Sequence, residues 1–316
     1  MRNVVLLFPG QGSQAPGMGK DLAERFPAAR DVFTAADAAV GAPLSTLCFE
    51  GPVAELTLTH NAQPALLTHG AAVWAVVREV LGSSIVAAAG HSLGEFTAYH
   101  ASDALSLPEA VRLVRRRGEL MFEAGQRRPG AMAAILGTPT RPIERICEQA
   151  SADAALVVPA NFNAPGQVVI SGEIAGVERA MVLTKEAGAK AIRLPVSGAF
   201  HSPLMADAAA GLEEALDLAH FGDPRFPVYA NVNGQPVGSA ALARRLLVEQ
   251  LTSPVQWARE LEHIAVLHPE ALYVEMGPGT VLKGLAKKIA PALTVVPCGT
   301  AADVDALLTL ATAVTA

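Results

Sequence analysis

Ser92 is the residue whose sequence surroundings suit it best to act as a nucleophile. It lies in the motif Gly90-His91-Ser92-Leu93-Gly94, after a short apolar run over 84–89 and before a segment with a helical pattern. In such a strand-turn-helix arrangement, small neighbours permit a sharp turn that exposes the serine Oγ. The helix would also direct free N–H groups at an oxyanion formed on an attacked carbonyl. The motif predicts a nucleophile elbow, although a glycine-bounded turn without chemistry has the same short pattern.

A serine hydroxyl needs a general base within hydrogen-bond reach to attack a carbonyl near neutral pH. The chain offers eight histidines, and a glycine-rich loop over 9–14 directly follows an apolar run over 4–8. This loop and the elbow both follow strand candidates, and ligands of open α/β sheets bind at the carboxyl ends of strands. The loop is a candidate for close backbone approach to a ligand, with a plain strand-to-helix connection as the alternative.

The composition is that of a folded protein with moderate negative charge. Of 316 residues, 51% are hydrophobic and 17% are charged, and the net charge is -6. These values exclude a disordered chain and argue against nucleic acid as a partner. Cys48, Cys147 and Cys298 are far apart, so we expect neither a disulfide framework nor a zinc site. No signal peptide or bilayer-spanning run is recognised, and a cytoplasmic location away from membranes is expected.

The order of strand and helix candidates divides the chain into two domains. From about residue 126 the candidates follow the order β-α-β-β-α-β, which is the ferredoxin-like pattern. The flanking segments combine apolar strand candidates with helices, which indicates an α/β sheet. We expect a discontinuous large domain over 1–125 and 199–316, a small inserted domain over 126–198, and a terminal helix that includes the alanine-rich residues 306–316.

Five motifs, in the same order, resemble those of malonyl-CoA:acyl-carrier-protein transacylases. They are Phe8-Pro9-Gly10-Gln11-Gly12-Ser13-Gln14, Gly90-His91-Ser92-Leu93-Gly94-Glu95, Ala199-Phe200-His201-Ser202, Ser253-Pro254-Val255-Gln256-Trp257 and Glu275-Met276-Gly277-Pro278-Gly279. The resemblance runs nearly end to end. It implies an α/β-hydrolase-like large domain with a parallel sheet, an inserted ferredoxin-like small domain, and an active site in the cleft between them.

The resemblance also implies an activity. Malonyl would pass from malonyl-CoA to Ser92, and then from the malonyl-serine to the phosphopantetheine thiol of acyl carrier protein, in fatty acid biosynthesis. The family resembled here uses no bound cofactor and no metal. The expected partners are therefore malonyl-CoA and acyl carrier protein, and the protein is expected to be a monomer.

The resemblance assigns roles in the acyl transfer to five residues. Ser92 is the expected nucleophile and His201 the base, oriented by the backbone carbonyl of Gln250. The backbone N–H groups of Gln11 and Leu93 would form the oxyanion hole. Because Gln250 would act through its carbonyl, its side chain is expected to matter little.

Arg117 is the expected partner of the malonyl carboxylate. Malonyl differs from acetyl by this second, ionised group, and a buried carboxylate needs a fixed cation. The planar guanidinium can bind a carboxylate with two hydrogen bonds. Three consecutive arginines, 115 to 117, span a wide arc of a helix, so one of them can face inward while the others stay solvated.

Four further residues are candidate pocket residues. Phe200 resembles the malonyl-type signature, in which a bulky ring beside the α-carbon excludes a methyl branch; simple packing is the alternative. Asn161 could contact the arm of the acyl carrier, or serve only as a turn residue. Gln63 is either a helix cap or a pocket residue, and His91 adjoins the nucleophile.

Three other functions remain open at this stage, and one of them is a non-catalytic scaffold that binds carrier protein, in which Ser92 would not be acylated. A discrete acyltransferase that serves a polyketide synthase has the same chemistry. A serine esterase would need an Asp or Glu between the elbow and the histidine to complete its triad. Basic residues near 115–128 and 283–288 could bind an acidic carrier protein or coenzyme A phosphates, and a generic solvated surface explains them equally well.

Overall fold

The computed structural model describes residues 2–151, 155–196 and 198–313. Its strands are β1 Val4–Phe8, β2 Ile85–Gly90, β3 Gly130–Leu136, β4 Val157–Ala164, β5 Gln167–Glu173, β6 Lys190–Arg193, β7 Val228–Tyr229, β8 Pro236–Val237, β9 Leu272–Glu275 and β10 Thr294–Pro297. Its α-helices are α1 Lys20–Arg25, α2 Pro27–Val40, α3 Leu44–Glu50, α4 Val53–Thr57, α5 Thr59–Leu81, α6 Gly94–Ala101, α7 Leu107–Arg127, α8 Ile143–Ala150, α9 Ile174–Glu186, α10 Ala206–Leu218, α11 Ala240–Glu249, α12 Trp257–Leu267, α13 Val281–Ile289 and α14 Ala301–Ala313.

The large sheet has the strand order β10-β9-β1-β2-β7-β8, and all of its pairs are parallel except β7 with β8. Strand β1 lies at its centre because every residue of the sequence VVLLF is apolar and can be buried on either face. Leu6 faces the cluster that contains α5 and α7, whereas Leu7 faces the cluster built on α12 and α13. Helices therefore cover both faces, as the predicted α/β fold requires.

The carboxyl ends of β1 and β2 lie side by side in this sheet. Phe8 pairs with Gly90, the last residue of each strand. The glycine-rich loop after β1 and the predicted elbow after β2 therefore leave the same edge of the sheet. The topology explains how segments eighty residues apart come to share one site.

Helix α5 begins four residues before Gln63, the residue considered as a helix cap. It extends over Thr59–Leu81, so Gln63 lies inside the helix and the interpretation of Gln63 as a cap is wrong. By length and mean hydropathy, 59–84 is also the one segment of the described helices apolar enough to cross a bilayer, which the sequence analysis did not recognise. Within the fold, 67% of its apolar window is buried, as is typical of a core helix.

The small sheet has the order β4-β5-β3-β6, and all of its pairs are antiparallel. With helices α8 and α9 this is the predicted ferredoxin-like arrangement. One face of the sheet packs on the helices through residues such as Ile135 and Ile170, and the other packs Met132 and Val169 toward Phe200. The domain boundaries at 126 and 198 stay predictions.

The small domain is joined to the large one next to the elbow edge. In β4, Phe162 N–H donates to Val255 O at 2.9 Å and Val255 N–H donates to Ala160 O at 2.8 Å. This backbone ladder fixes β4 against the segment that leads into α12. The predicted terminal helix corresponds to α14, and residues 314–316 of that prediction lie outside the described residues.

Candidate active site

Ser92 occupies a sharp turn between β2 and α6, with a φ of 53° in the left-handed region. A non-glycine residue in this region stores strain of about 1–3 kcal/mol. The flanking glycines are required by space: a Cβ on Gly90 would lie 1.9 Å from the carbonyl carbon of Gly94, and one on Gly94 would lie 2.3 Å from Phe8 O. The close approach of α6 to β1 and β2 thus explains why the turn is bounded by glycine.

His201 lies within hydrogen-bond distance of the Ser92 hydroxyl. The Ser92 Oγ to His201 Nε2 distance is 2.8 Å, and His201 Nδ1 lies 2.9 Å from the backbone oxygen of Gln250. A carbonyl oxygen can only accept, so Nδ1 carries the proton and Nε2 is left to accept the proton of Ser92. The group that orients the histidine is a main-chain carbonyl and not the carboxylate that an esterase triad would use.

Burial, together with the charge of the nearby Arg117 guanidinium, lowers the pKa of His201 to about 3, against the opposing effect of the Gln250 carbonyl. The imidazole is therefore neutral at pH 7 and available as a base. It is also a weak base, so the imidazolium that forms during attack gains little stabilisation from its surroundings.

Arg117 is fully sequestered beside the nucleophile, with 1% of its surface exposed. Its Nη2 donates to Ser92 Oγ at 3.0 Å and to Gln250 Oε1 at 2.8 Å, and its Nη1 donates to Gln63 Oε1 at 2.6 Å. Burial lowers the pKa of Arg117 to about 10, which leaves the guanidinium charged at neutral pH.

The neighbours of Arg117 on α7 have a different environment. The side chains of Arg115 and Arg116 are 31% and 47% exposed, and both pair with Glu119. Of the three consecutive arginines, Arg117 is the one that faces inward. The helix therefore delivers a single cation to the site, at the position that the family resemblance indicated.

The backbone N–H groups of Gln11 and Leu93 have no hydrogen-bond partner among the residues that the structure describes. In contrast, Ser92 N–H donates to Asn231 Oδ1 at 2.7 Å. Gly10 allows the first loop to approach the elbow, because a Cβ there would lie 2.7 Å from His91 O. Two backbone donors without a protein partner in the described part of the chain thus belong to the elbow and to the loop that contacts it, and an oxyanion hole needs such donors.

The four candidate pocket residues lie around Ser92, His201 and Arg117. Gln63 holds Arg117, and Phe200 is half-buried beside a pocket of 130 Å³ that Gln11 and Thr59 also line. His91 Nε2 lies 2.8 Å from Asn163 Oδ1, which links the elbow to the small domain. Asn161 is buried in β4 and bridges to Val255 through its backbone. Of the two asparagines in β4, the one whose side chain reaches the elbow is therefore Asn163 and not Asn161.

Three buried polar residues behind Ser92 were missed by the sequence analysis. Asn231 donates its Nδ2 to Gly90 O at 2.8 Å and to Glu260 Oε1 at 3.0 Å, and its backbone N–H donates to Glu95 Oε2 at 3.0 Å. Glu95 and Glu260 are both 0% exposed. The available signal was Glu95, a charged residue in a helix start that must pack against two strands.

The side chain of Gln250 makes more contacts than its expected role required. Its Nε2 donates to Glu95 Oε2 at 2.7 Å and to Ser92 O at 3.1 Å, while its Oε1 accepts from Arg117. Gln250 therefore contacts the base through its backbone and the guanidinium through its amide. The expectation that this side chain matters little does not fit these contacts.

The arginines of the candidate basic surface pair with neighbouring carboxylates. Arg116 and Arg127 pair with Glu123, and Arg128 pairs with Glu173. Lys288 donates to Gln167 Oε1 at 3.0 Å. Within the described residues, no group of three or more His, Cys, Asp or Glu side chains is arranged to hold a metal ion. The three cysteines are buried and unpaired.

Comparisons with known proteins assign the chain to a family. Residues 5–299 match the family model described as Acyl transferase domain. The malonyl CoA-acyl carrier protein transacylase of Bacillus subtilis (strain 168) is 47% identical over 290 residues, which cover 92% of this chain and 91% of that protein.

Solved structures agree with the sequence relatives. An acyl-carrier-protein-S-malonyltransferase from Bartonella henselae superposes with a TM-score of 0.93 at 40% identity, covering 98% of this chain and 99% of that one. A malonyl-transacylase solved in complex with a type II PKS acyl-carrier protein gives a TM-score of 0.92 at 40% identity, covering 98% and 99%. The chain belongs to the acyl transferase family, and within it to the malonyl CoA-acyl carrier protein transacylases.

Proposed function

We propose that this protein transfers malonyl from malonyl-CoA to the phosphopantetheine thiol of acyl carrier protein, through a malonyl ester on Ser92, in cytoplasmic fatty acid biosynthesis. The observation that carries the proposal is the buried guanidinium of Arg117, 3.0 Å from the nucleophilic Oγ. A serine acyltransferase for uncharged acyl groups has no need of a buried cation there. A malonyl group attached to Ser92 brings a carboxylate to this position.

Substrate binding would redirect the hydrogen bonds of Arg117. Its Nη2 donates to the Ser92 hydroxyl in the unliganded protein, and its Nε has no partner among the described residues. A carboxylate can accept two parallel bonds from a guanidinium, so malonyl can take up donors that are unsatisfied or shared. The same pairing offsets the positive charge that lowers the pKa of His201, which makes the histidine a stronger base when the substrate is bound.

In the first half-reaction, Ser92 Oγ attacks the thioester carbonyl while its proton passes to His201 Nε2. The carbonyl oxygen becomes an oxyanion between the N–H groups of Gln11 and Leu93. Collapse of the tetrahedral intermediate breaks the C–S bond, and His201 returns the proton to the departing thiolate of coenzyme A. The products are free coenzyme A and the malonyl ester of Ser92.

The second half-reaction reverses these steps with a new thiol. The phosphopantetheine S–H gives its proton to His201 Nε2, its sulfur attacks the ester carbonyl, and Ser92 Oγ leaves and regains the proton. A neutral carbonyl stabilises the imidazolium less than an aspartate does, which is adequate because a thiolate is a good leaving group. The 130 Å³ pocket beside Gln11 and Phe200 is suited to the end of the thioester-bearing arm.

The test is an intact-mass measurement of the protein after incubation with malonyl-CoA. We expect an adduct with the mass of one malonyl group that disappears on addition of holo-acyl carrier protein, as the carrier gains the same mass. Ser92→Ala should form no adduct, and Ser13→Ala, in the first loop, is the control. An absent adduct in the parent protein, or rapid loss of the adduct to water without a carrier, would contradict the proposal and favour an esterase.

A carrier protein of polyketide synthesis is the second candidate acceptor. One solved relative is described as the malonyl-transacylase of a type II PKS acyl-carrier protein. The chemistry at Ser92 would be unchanged. Competition between the two holo-carriers for a limiting amount of malonyl-enzyme distinguishes them, because the preferred carrier takes most of the label.

A further inference from the structure

A network of buried hydrogen bonds lies behind the nucleophile, and Glu95 is at its centre. One oxygen of this carboxylate, Oε2, accepts from Asn231 N–H at 3.0 Å and from Gln250 Nε2 at 2.7 Å. The other oxygen, Oε1, has no partner among the described residues. Glu95 is thus an acceptor through one oxygen, while the second oxygen can carry a proton.

The Glu95 acceptor fixes the orientation of the Gln250 amide. Because Oε2 of Glu95 requires a donor, the amide nitrogen of Gln250 faces Glu95 and the amide oxygen faces Arg117, where it accepts at 2.8 Å. A flipped amide would place NH2 against the guanidinium and leave both groups without an acceptor. Glu95 therefore supports the contact of Gln250 with Arg117, together with Ser92 O, which accepts from the same amide nitrogen at 3.1 Å.

The charges of this region do not balance once malonyl is bound. Within the described residues, no carboxylate forms an ion pair with Arg117, and the Coulombic partner of its guanidinium is Glu95. With Glu95 ionised, Arg117 is already partly compensated through Gln250. A malonyl carboxylate would then be a second buried anion for one buried cation, which is unfavourable in a medium of low dielectric.

We infer that Glu95 is a positioning residue of the malonyl transfer: it holds Gln250 and Asn231 in place, and in its neutral form it leaves the charge of Arg117 to the substrate carboxylate. This inference rests on the proposed function. The neutral form keeps both hydrogen bonds, because the carbonyl oxygen of a protonated carboxyl still accepts. The proton then resides on Oε1.

The surroundings of Glu95 support this protonation. Burial raises the pKa of Glu95 to about 7, against the hydrogen bonds from Asn231 and Gln250 and the charge of Arg117. Glu260 on α12 and Tyr99 on α6 are the other titratable groups coupled to this cluster, and burial raises the pKa of both. Among the other elements that pack against α6, strands β1 and β2 carry no titratable side chain and β7 carries Tyr229. Helix α5 carries His69, whose ring is hydrogen-bonded to Gly299 O.

The test compares malonyl with acetyl transfer between pH 6 and pH 8. Because kcat/KM reports the free enzyme, the malonyl-to-acetyl ratio of kcat/KM should fall about tenfold as Glu95 ionises over this range. Glu95→Gln mimics the neutral form, so its ratio should stay constant and exceed that of the parent about tenfold at pH 8. Acetyl-CoA carries the same phosphates as malonyl-CoA, so their titration cancels in the ratio.

Glu260→Gln is the matched control, since Glu260 is equally buried and also bonds to Asn231 but does not contact Gln250. It should keep the fall of the malonyl-to-acetyl ratio with rising pH, with a midpoint no higher than that of the parent, because the two carboxylates repel each other. A Glu95→Gln protein that still shows the tenfold fall, or one that loses malonyl and acetyl transfer equally at every pH, overturns the inference. An absence of malonyl transfer in the parent protein would instead refute the proposed function.

A measurement on the parent protein keeps the inference testable if Glu95→Gln does not fold. Acylation of Ser92 by malonyl-CoA at pH 7.5, followed with a pH-indicator dye in weak buffer, should take up protons from solution. Acylation by acetyl-CoA releases the same thiol and should take up none. Equal proton uptake for the two substrates would overturn the inference.

Discussion

Replacing Arg117 by alanine should impair malonyl transfer far more than acetyl transfer. The guanidinium is 1% exposed, so a malonyl carboxylate bound in its absence would be desolvated without a cation. Removing one partner of a buried ion pair costs about 3–5 kcal/mol. At about 1.4 kcal/mol for each factor of ten, this corresponds to a loss of roughly 10²- to 10⁴-fold in kcat/KM for malonyl-CoA.

Acetyl transfer should respond differently because acetyl has no carboxylate. Loss of the arginine also removes a charge that lowers the pKa of His201, which makes the histidine a stronger base. Some activity will be lost for both acyl groups, because Gln63 Oε1 and Gln250 Oε1 are buried and accept from Arg117, and the variant leaves them without this donor. Each unsatisfied acceptor costs about 1–3 kcal/mol of stability, so thermal unfolding must be measured alongside activity.

The assay is transfer of labelled malonyl or acetyl from coenzyme A to holo-acyl carrier protein, with both rates measured for each variant. Arg117→Lys keeps the charge without the planar fork and should lie between the parent and alanine variants. Arg116→Ala, one position away on α7 and 47% exposed, should change neither rate. Equal losses of malonyl and acetyl transfer in a folded Arg117→Ala protein would refute the assignment.

Three further predictions follow from the geometry around Ser92. Gln250→Ala should lower kcat for malonyl and acetyl by roughly 5- to 100-fold, because about 1–3 kcal/mol of amide hydrogen bonding to Ser92 O and Arg117 is lost while the carbonyl remains; an unchanged kcat would show that the carbonyl alone is needed. The kcat/KM for acetyl-CoA should stay nearly constant from pH 7 down to pH 5, since the pKa of His201 is lowered to about 3 and the imidazole remains unprotonated; a tenfold fall per pH unit below 6.5 would contradict this. Gly94→Ala should abolish activity and lower the Tm, because its Cβ would lie 2.3 Å from Phe8 O, whereas Gly284→Ala, in α13 with open space around it, should raise stability by about 0.5–1 kcal/mol; the two Tm values measured by calorimetry check both signs.

The elements that follow simple periodic rules could be predicted from the sequence. Strand β1 matches its prediction at both ends because its continuous apolar run has no other favourable environment than a doubly covered sheet. The β-α-β-β-α-β order of the small domain was also confirmed. Each of its elements is short and bounded by turn residues, so the elements could be told apart in the sequence. The starts of helices were harder to predict: Gln63 was considered as a cap, but α5 begins four residues before it.

Some residues of the site could be predicted from the sequence and others could not. Ser92, His201 and Arg117 were indicated by motifs that resemble a family, and the structure places His201 Nε2 at 2.8 Å and Arg117 Nη2 at 3.0 Å from Ser92 Oγ. Asn231 could not be found this way, because its contact with Ser92 joins residues 139 positions apart and no local pattern marks it. Glu260 resembles a solvated helix residue in the sequence, and only the three-dimensional packing shows that it is enclosed.

The hydrogen bond from Arg117 to the Ser92 hydroxyl has a consequence for inhibitor design. This hydroxyl donates toward His201 and accepts from a cation, so one of its lone pairs is engaged. A small neutral electrophile would find the oxygen in this less reactive state. An electrophile that bears an anionic group at the distance of the malonyl carboxylate would release the oxygen as it binds. Selective covalent inhibitors of this protein should therefore carry their own negative charge.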